Sequence, residues 1–229
     1  MEIIGHRGCD QDAGENTLSA IKAALNNKAD GIEIDLRKVG QSIIALHDDT
    51  VDRTTNGTGH YKSFGIDSIK SLICKNGNNI PLLDDILSIS RPIDKLILEL
   101  KEPRMEDDIL EILKNKAKQI SGESKKNIIV SSFDTGISEN LSRHLDAWEL
   151  AILYRKNFSS ALQRAKNLGA SYLHAPIKDV TKDKVKFAHA HNIEVYAFTV
   201  NHRREYNHCL NSGIDGIFTD KPEIFIGLN

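Results

Sequence analysis

Short apolar segments alternate with amphipathic helical segments along most of this chain, and this order restricts the possible folds most strongly. Apolar segments of strand length are typical of a parallel sheet that is covered by helices on both faces. There are about eight such segments, which favours a closed (β/α)8 barrel, or TIM barrel, over an open sheet. The predicted strands are 30–36, 42–47, 95–100, 127–131, 149–153, 172–174, 194–200 and 216–219.

The predicted helices carry recognisable start and stop signals. Asn16 or Thr17 is a candidate cap for a helix that continues to about Asn26, and Thr181 is a candidate cap for a later one. Gly213 ends the helix before the last strand. These signals support the alternating order of the two kinds of element.

One region departs from the alternation. Segment 42–47 follows so closely on 30–36 that the two form either a hairpin-like extension or a second short strand near Gly40. The next segment, 48–81, lacks periodicity and is rich in turn formers. We therefore interpret it as an insertion into a single barrel domain of residues 1–229.

Polar side chains follow the apolar segments, whereas most lysines and glutamates lie on helix faces. The carboxyl ends of barrel strands meet around one mouth, where active sites are built, so these residues would converge there. They are His6, Arg7, Glu33, Asp35, His47, Glu99, Lys101, Ser132, His174, Thr199, Asn201, Thr219 and Asp220. We expect Thr199 and Asp220 to orient loops, and His174 either to line a pocket or to pack at the barrel rim.

Three acids in this set suggest a metal site. Glu33 and Asp35 are two positions apart in the apolar run from Ile32 to Leu36, so they project from the same face of a strand. Two anions held side by side repel each other unless a cation lies between them. Together with Glu99 they offer only oxygen ligands, which suit Mg²⁺ or Ca²⁺ better than zinc. The sequence does not choose between these two ions.

The basic residues complete a site for an anionic substrate. Arg7 and Lys101 supply fixed positive charge, and an arginine can bind a phosphate through two parallel hydrogen bonds. His6 and His47 offer an acid and a base near neutral pH, and Asp48 is placed to orient His47. Phosphodiester cleavage requires such groups, because charge builds on the phosphate while one oxygen loses a proton and another gains one.

These motifs resemble those of the glycerophosphodiester phosphodiesterase family, in the same order and over nearly the whole chain. The family is a (β/α)8 barrel with a small insertion after the second strand region, which is similar to segment 48–81. Phe198 stands where the family often has tryptophan, and Gly14 where it commonly has proline or alanine. The matching segments are His6-Arg-Gly8, Glu15-Asn-Thr17, Gly31-Ile-Glu-Ile-Asp35, His47-Asp48, Asp52-Arg-Thr-Thr55, Ile80-Pro81, Glu99-Leu-Lys101, Ser132-Phe133, Thr199-Val-Asn201 and Gly213-Ile-Asp-Gly-Ile-Phe-Thr-Asp220.

The resemblance implies metal-dependent hydrolysis of glycerophosphodiesters to glycerol 3-phosphate and an alcohol. It implies one divalent cation, Mg²⁺ or Ca²⁺, and two histidines for acid–base catalysis. The implied metal ligands are Glu33, Asp35 and Glu99; the implied catalytic histidines are His6 and His47; the implied phosphate contacts are Arg7 and Lys101; and the supporting residues are Asn16 and Asp48.

Several alternatives stay open at this point. A lysophospholipase D-like phosphodiesterase would need an exposed apolar rim, and segment 48–81 is only mildly apolar. A non-catalytic phosphate-binding barrel would be expected to have lost one of the proposed groups, and all are present. A sugar-phosphate isomerase or aldolase would need a Schiff-base lysine or an enediol base. In a hydrolase, either water or the glycerol hydroxyl beside the phosphate could attack first, and the second route gives a cyclic phosphate.

Composition limits the partners. With a net charge of −2, the chain lacks the excess of basic residues that is typical of proteins that bind nucleic acid or an anionic membrane. No run of about 18 apolar residues and no leader peptide is visible, so no membrane span is expected. Cys9, Cys74 and Cys209 are widely spaced, which fits reduced thiols. We expect a cytoplasmic protein with a small-molecule substrate, while the oligomeric state stays open.

Overall fold

The computed structural model describes residues 1–9, 14–90, 94–119 and 128–228. The predicted strand start at Asn127 lies outside these ranges. Within them, nine strands form one sheet. The strands are β1 (Glu2–Gly5), β2 (Gly31–Val39), β3 (Ser42–Ala45), β4 (Lys95–Leu100), β5 (Ile128–Ser132), β6 (Glu149–Leu153), β7 (Tyr172–Pro176), β8 (Glu194–Phe198) and β9 (Gly216–Thr219).

The described strands close into an eight-stranded parallel barrel in the order β1-β9-β8-β7-β6-β5-β4-β2, with β2 paired back to β1. The predicted (β/α)8 barrel is thereby confirmed. Segment 42–47 forms β3, which pairs antiparallel with β2, so the hairpin-like extension is confirmed and counting this segment among the eight barrel strands was wrong. A link of only Gly40 and Gln41, with Gly40 at φ 61°, makes a hairpin, because a parallel return needs a much longer crossover. The eighth barrel strand is β1.

Eight helices are described, and their ends follow the predicted signals. Thr17, not Asn16, caps the first helix, since its side chain accepts a hydrogen bond from Ala20 N. Thr181 caps the seventh helix, and Gly213 ends the eighth at φ 74°. The helices are α1 (Leu18–Asn26), α2 (Ile66–Ser71), α3 (Leu83–Ile89), α4 (Glu106–Gln119), α5 (Thr135–Leu141), α6 (Phe158–Leu168), α7 (Lys182–His189) and α8 (Arg203–Ser212).

Side chains fill the interior of the barrel at the N-terminal ends of the strands. The space for a site is therefore at the C-terminal ends. Lys95 Nζ, at the start of β4, donates to Glu2 at 2.8 Å and lies 2.6 Å from the Tyr196 hydroxyl. Next to this polar cluster around Lys95 lies a layer of buried, mainly apolar side chains from the barrel strands. The layer consists of Ile4, Ile97, Ile129, Ala151, Tyr172, Tyr196 and Phe218.

The segment between β3 and α3 has a small apolar core of its own. It contains α2 and a 3₁₀ turn at Tyr61–Ser63. Tyr61 is buried, and its hydroxyl donates to Glu102 at 2.6 Å, which ties the segment to the loop after β4. This insertion core consists of Val39, Ile44, Leu46, Val51, Tyr61, Ile69, Leu72, Cys74 and Ile80.

Two further observations concern the environment of the chain. None of the helices within the described ranges combines the length and the apolar character that crossing a bilayer requires. Cys9, Cys74 and Cys209 are all buried, and none of them forms a disulfide.

Candidate active site

A pocket of about 640 Å³, including its open mouth, lies at the C-terminal ends of the barrel strands. The structure thus brings together residues that are far apart in the sequence, from His6 to Phe218. Asp35 lies just beneath the pocket wall and contacts it through Lys101. The predicted polar residues that line the pocket are His6, Arg7, Glu33, His47, Glu99, Lys101, His174 and Thr199.

The three acids meet because β2 and β4 pair in parallel with Asp35 opposite Glu99. All three are buried, and one oxygen of each lies within 4.8 Å of the others. Glu33 Oε1 is buried without a hydrogen-bond partner among the described residues. Burial, and next the charge of Asp35, raise the pKa of Glu33. A cluster of carboxylate oxygens with one unsatisfied member and crowded negative charge fits a divalent cation such as Mg²⁺ or Ca²⁺.

Lys101 offsets part of this negative charge. Its Nζ lies 2.6 Å from Asp35 Oδ1 and also donates to Glu99 Oε1. Burial alone would raise the pKa of Asp35, but the charges of Lys101 and Arg7 hold that pKa below its ordinary value. Asp35 is therefore a carboxylate throughout the neutral range.

His6 and Arg7 lie on a tight turn after β1. Arg7 has φ 54°, and its N–H donates to Glu33 Oε2 at 2.9 Å, which stabilises this unusual conformation. Gly8 follows at φ 91°, where a Cβ would approach Ala20 Cβ to 2.7 Å. The His-Arg-Gly sequence thus permits a turn packed against α1 that projects both side chains into the pocket.

The Arg7 guanidinium lies between two carboxylates. Nη1 donates to Glu15 Oε1 at 2.9 Å, and Nε lies 3.2 Å from Asp35 Oδ2. Asn16 also holds Asp35, donating to Oδ2 at 2.8 Å and accepting the Asp35 N–H at 3.0 Å. The predicted supporting residue Asn16 therefore contacts a proposed metal ligand directly.

His6 is oriented by a carboxylate from the far end of the chain. Its Nδ1 lies 2.6 Å from Asp220 Oδ1, and Asp220 is held by Asn201 Nδ2 at 2.6 Å. His6 Nε2 lies 4.0 Å from Glu33 Oε2. Burial lowers the pKa of His6, but the hydrogen bond to Asp220 and the charge of Glu33 outweigh it, so the pKa is raised.

His47 has a similar partner close in sequence. Its Nδ1 lies 2.7 Å from Asp48 Oδ1, which places Asp48 in the predicted supporting position. Burial lowers the pKa of His47 in spite of the opposing charge of Asp35. Each proposed catalytic histidine thus has Nδ1 paired with a carboxylate, which fixes the ring and leaves Nε2 available.

Arg53, from the insertion, connects the two histidine-bearing regions. Its Nε donates to Asp48 Oδ2 at 2.6 Å, and its two terminal nitrogens donate to Glu15 at 2.6 Å each. Since Glu15 also binds Arg7, a continuous chain of charged groups runs from Arg7 to His47. We call this series of contacting side chains, Arg7–Glu15–Arg53–Asp48–His47, the charged bridge.

The opposite wall of the pocket is mainly apolar. Phe133, Leu153 and Phe198 line it, and the rings of Phe133 and Phe198 meet edge to face with centroids 5.9 Å apart. Arg155 lies on the same wall, with its guanidinium carbon 4.2 Å from the centroid of the Phe133 ring. This wall and the acidic one differ in chemistry.

Two buried polar side chains lie deeper in the pocket. Within the described residues, Ser131 Oγ and His174 Nε2 are buried without a hydrogen-bond partner. His174 packs against the rings of Tyr196 and Phe218 at centroid distances of 5.8 and 4.7 Å. Burial, and then the charge of Lys95, lower the pKa of His174 to about 3, so the ring is neutral. His174 therefore lines the pocket, one of the two positions considered from the sequence.

Sequence reasoning missed several contacts. It assigned Asp220 to loop orientation, although Asp220 pairs with His6, and it gave no role to Glu15 or Arg53. Glu15 and Arg53 lie in two segments that match the family's motifs, Glu15-Asn-Thr17 and Asp52-Arg-Thr-Thr55. That match was the feature of the sequence that could have identified them. Ser132 has a structural bond instead, donating to the Leu100 carbonyl at 2.8 Å.

Comparison with known proteins agrees with this geometry. Residues 6–224 match the model of the glycerophosphoryl diester phosphodiesterase family. A glycerophosphodiester phosphodiesterase of Caldanaerobacter subterraneus is 29% identical, over 99% of this chain and 96% of that protein. One from Bacillus altitudinis is 30% identical, over 97% of this chain and 95% of that protein.

A solved structure is similar over nearly the whole fold. The phosphodiesterase of Oleispira antarctica, determined in complex with its product sn-glycerol 3-phosphate, superimposes with a TM-score of 0.87. The match covers 98% of this chain and 94% of that one, at 24% sequence identity. At this identity the likeness establishes the barrel fold.

Proposed function

Because this chain belongs to the glycerophosphoryl diester phosphodiesterase family, we propose that it hydrolyses glycerophosphodiesters to glycerol 3-phosphate and an alcohol with two histidines and a divalent cation. The observation that carries the proposal is the meeting of three carboxylates, two carboxylate-paired histidines and two cationic side chains in one pocket. The glycerol 3-phosphate bound to the Oleispira antarctica enzyme supports this product.

Glu33, Asp35 and Glu99 would hold the cation, for which their oxygen ligands suit Mg²⁺ or Ca²⁺. When bound, the cation supplies Lewis-acid stabilisation of the charge on the phosphate. Arg7 and Lys101 already stand beside these acids and would offset further charge on the non-bridging oxygens.

The two histidines would move the protons. One imidazole takes the proton of the attacking hydroxyl through Nε2, and the other gives a proton to the leaving alcohol oxygen as the P–O bond breaks. Asp220 and Asp48 keep the rings oriented and stabilise the imidazolium form of each.

The attacking group in this proposal is the glycerol hydroxyl beside the phosphate ester. Its attack forms a cyclic phosphate and expels the alcohol, and water then opens the ring with the histidine roles reversed. An analogue that lacks this hydroxyl would have no activity by this route. Full activity on that analogue would establish direct attack by water.

A soluble glycerophosphodiester suits the site better than a lysophospholipid. Tyr61 is buried and Phe64 and Ile66 are partly buried against the insertion core, so they do not form an exposed apolar rim. We further propose that residues 1–229 act as one catalytic domain with the insertion at 48–81. A cytoplasmic location would suit three buried cysteines that form no disulfide.

The decisive experiment measures, with and without EDTA, the release of glycerol 3-phosphate from glycerophosphoglycerol and the release of glycerol 3-phosphate or lysophosphatidic acid from an acylated substrate. Lysophosphatidylglycerol serves as the matched acylated substrate. We expect release only from the soluble diester, loss of release in EDTA, and recovery with Mg²⁺ or Ca²⁺. Preferred cleavage of the lysophospholipid would establish the alternative, and no release from either substrate with any divalent ion would refute the enzyme assignment.

A further inference from the structure

Arg155 is a cation in the pocket that the proposed mechanism does not use. Arg7 and Lys101 are each bound by carboxylates, whereas Arg155 forms no ion pair with any residue that the structure describes. Its side chain is exposed, and its contact is with the face of Phe133 at 4.2 Å. An unpaired guanidinium held on a pocket wall is available to a negatively charged group of a ligand.

The position of Arg155 indicates which part of the substrate it faces. The proposed phosphate contacts, Arg7 and Lys101, lie just after β1 and β4, while Arg155 follows β6. The glycerol portion is the same in every substrate and carries hydroxyls, for which the buried, unpartnered Ser131 Oγ and His174 Nε2 are suitable partners. The leaving alcohol varies and must depart into solvent, so it belongs at the exposed rim with Arg155.

The aromatic residues near Arg155 are not arranged for a cationic head group. A quaternary ammonium ion is recognised by open aromatic faces. Here the Arg155 guanidinium already covers one face of Phe133, and Phe198 meets Phe133 edge to face with an interplanar angle of 86°. Arg155 would also repel a choline or ethanolamine cation.

We propose that Arg155 and Phe133 form a head-group subsite that selects glycerophosphodiesters whose leaving alcohol carries an anionic group, a carboxylate or a second phosphate. The stacking on Phe133 holds the planar guanidinium in place, so less side-chain freedom is lost when an anion binds. This inference rests on the proposed function and adds the class of alcohol to it.

The test compares two substrates that differ by one carboxylate, glycerophosphoserine and glycerophosphoethanolamine, with neutral glycerophosphoglycerol as reference. The readout is kcat/KM for glycerol 3-phosphate release. Arg155→Gln should lower the serine-to-ethanolamine ratio about fivefold, the effect of one partly exposed charge pair. Arg155→Lys should keep most of the ratio, and Arg155→Glu should reverse the preference. The wild-type ratio should also fall between about 20 and about 500 mM KCl, because salt screens exposed charges.

Arg143→Gln is the matched control, since this exposed arginine follows α5 and lies toward the other end of the barrel. An unchanged ratio in Arg155→Gln would overturn the inference, as would an equal loss on all three substrates, which would indicate a general positioning role. A wild-type enzyme that hydrolyses none of the three would instead refute the proposed function.

Discussion

The two walls of the pocket are built on the same barrel but differ in how their charges are arranged. On the acidic wall, formed by β1, β2 and the end of β4, each cation lies between carboxylates, as Lys101 does between Asp35 and Glu99. On the apolar wall, formed by the ends of β5, β6 and β8, phenylalanine and leucine side chains line the pocket beside Arg155, which has no ion pair among the residues that the structure describes. Under the proposed function, this difference would separate chemistry from recognition, because the reacting phosphate needs dense charge and the rest of the substrate needs a fitted surface.

The contrast also shows where stability and function oppose each other. The acidic wall buries three carboxylates near one another, which costs free energy unless a cation joins them. The apolar wall buries Leu153 and half-buries the two phenylalanines, an arrangement that stabilises the fold without help from a ligand. We therefore expect substitutions on the acidic wall to reduce activity far more than stability.

Glu33→Gln tests this expectation most severely. The amide keeps the shape but is a poor metal ligand, so kcat/KM should fall by about 10³-fold. The free energy of unfolding, measured in EDTA, should not fall, because burial and Asp35 already disfavour the ionised form of Glu33. Glu106→Gln, a buried glutamate elsewhere on the barrel, should keep full activity. Retained activity in Glu33→Gln would remove Glu33 from the metal site.

Asp220→Asn sharpens the comparison within the acidic wall. The amide holds the His6 ring less well in its reactive form, so kcat should fall by roughly 10²-fold. Loss of the carboxylate lowers the pKa of His6, which the hydrogen bond to Asp220 raises, so the limb of the pH–rate profile governed by His6 should move to lower pH. Asp215→Asn is the control, because Asp215 pairs with His189 at 2.8 Å outside the pocket. An unmoved profile would contradict the role of Asp220.

Arg53→Gln tests whether the charged bridge matters for catalysis. Removing the link between Glu15 and Asp48 should lower kcat/KM about tenfold, since His47 and Arg7 lose a shared support. Arg53→Lys should recover part of the loss. Lys62→Gln, which removes another charged contact of the insertion, should have no effect on activity. If Arg53→Gln and Arg53→Lys were both as active as Lys62→Gln, the charged bridge would have only a structural role.

His174→Phe examines the floor between the two walls and should change how the stability of the protein depends on pH. The unfolded chain binds a proton on His174 as pH falls through its ordinary pKa, while the native state, with a pKa of about 3, does not. Stability is therefore lost on acidification, and wild type should lose about 2 kcal/mol more than His174→Phe between pH 7 and pH 5. Denaturant unfolding at both pH values measures this. Equal losses would show that His174 is not held neutral.

Much of the architecture could be predicted from the sequence because it depends on local periodicity. Apolar segments of strand length alternating with capped helices indicated the barrel, and the caps at Thr17 and Thr181 are confirmed. The spacing of Glu33 and Asp35 places both on one strand face wherever that strand lies. Since strand ends in such a barrel share one mouth, the sequence also indicated which polar residues would meet.

Only the tertiary structure decided the partners of these residues. Asp220 contacts His6 because β9 pairs with β1, and Arg53 reaches Glu15 because the insertion core fixes its loop beside the turn after β1. The exclusion of β3 from the barrel and the stacking of Arg155 on Phe133 depend in the same way on which elements are neighbours. Periodicity is a property of each segment alone, whereas side-chain partners are set by the register between segments that the chain brings together from a distance.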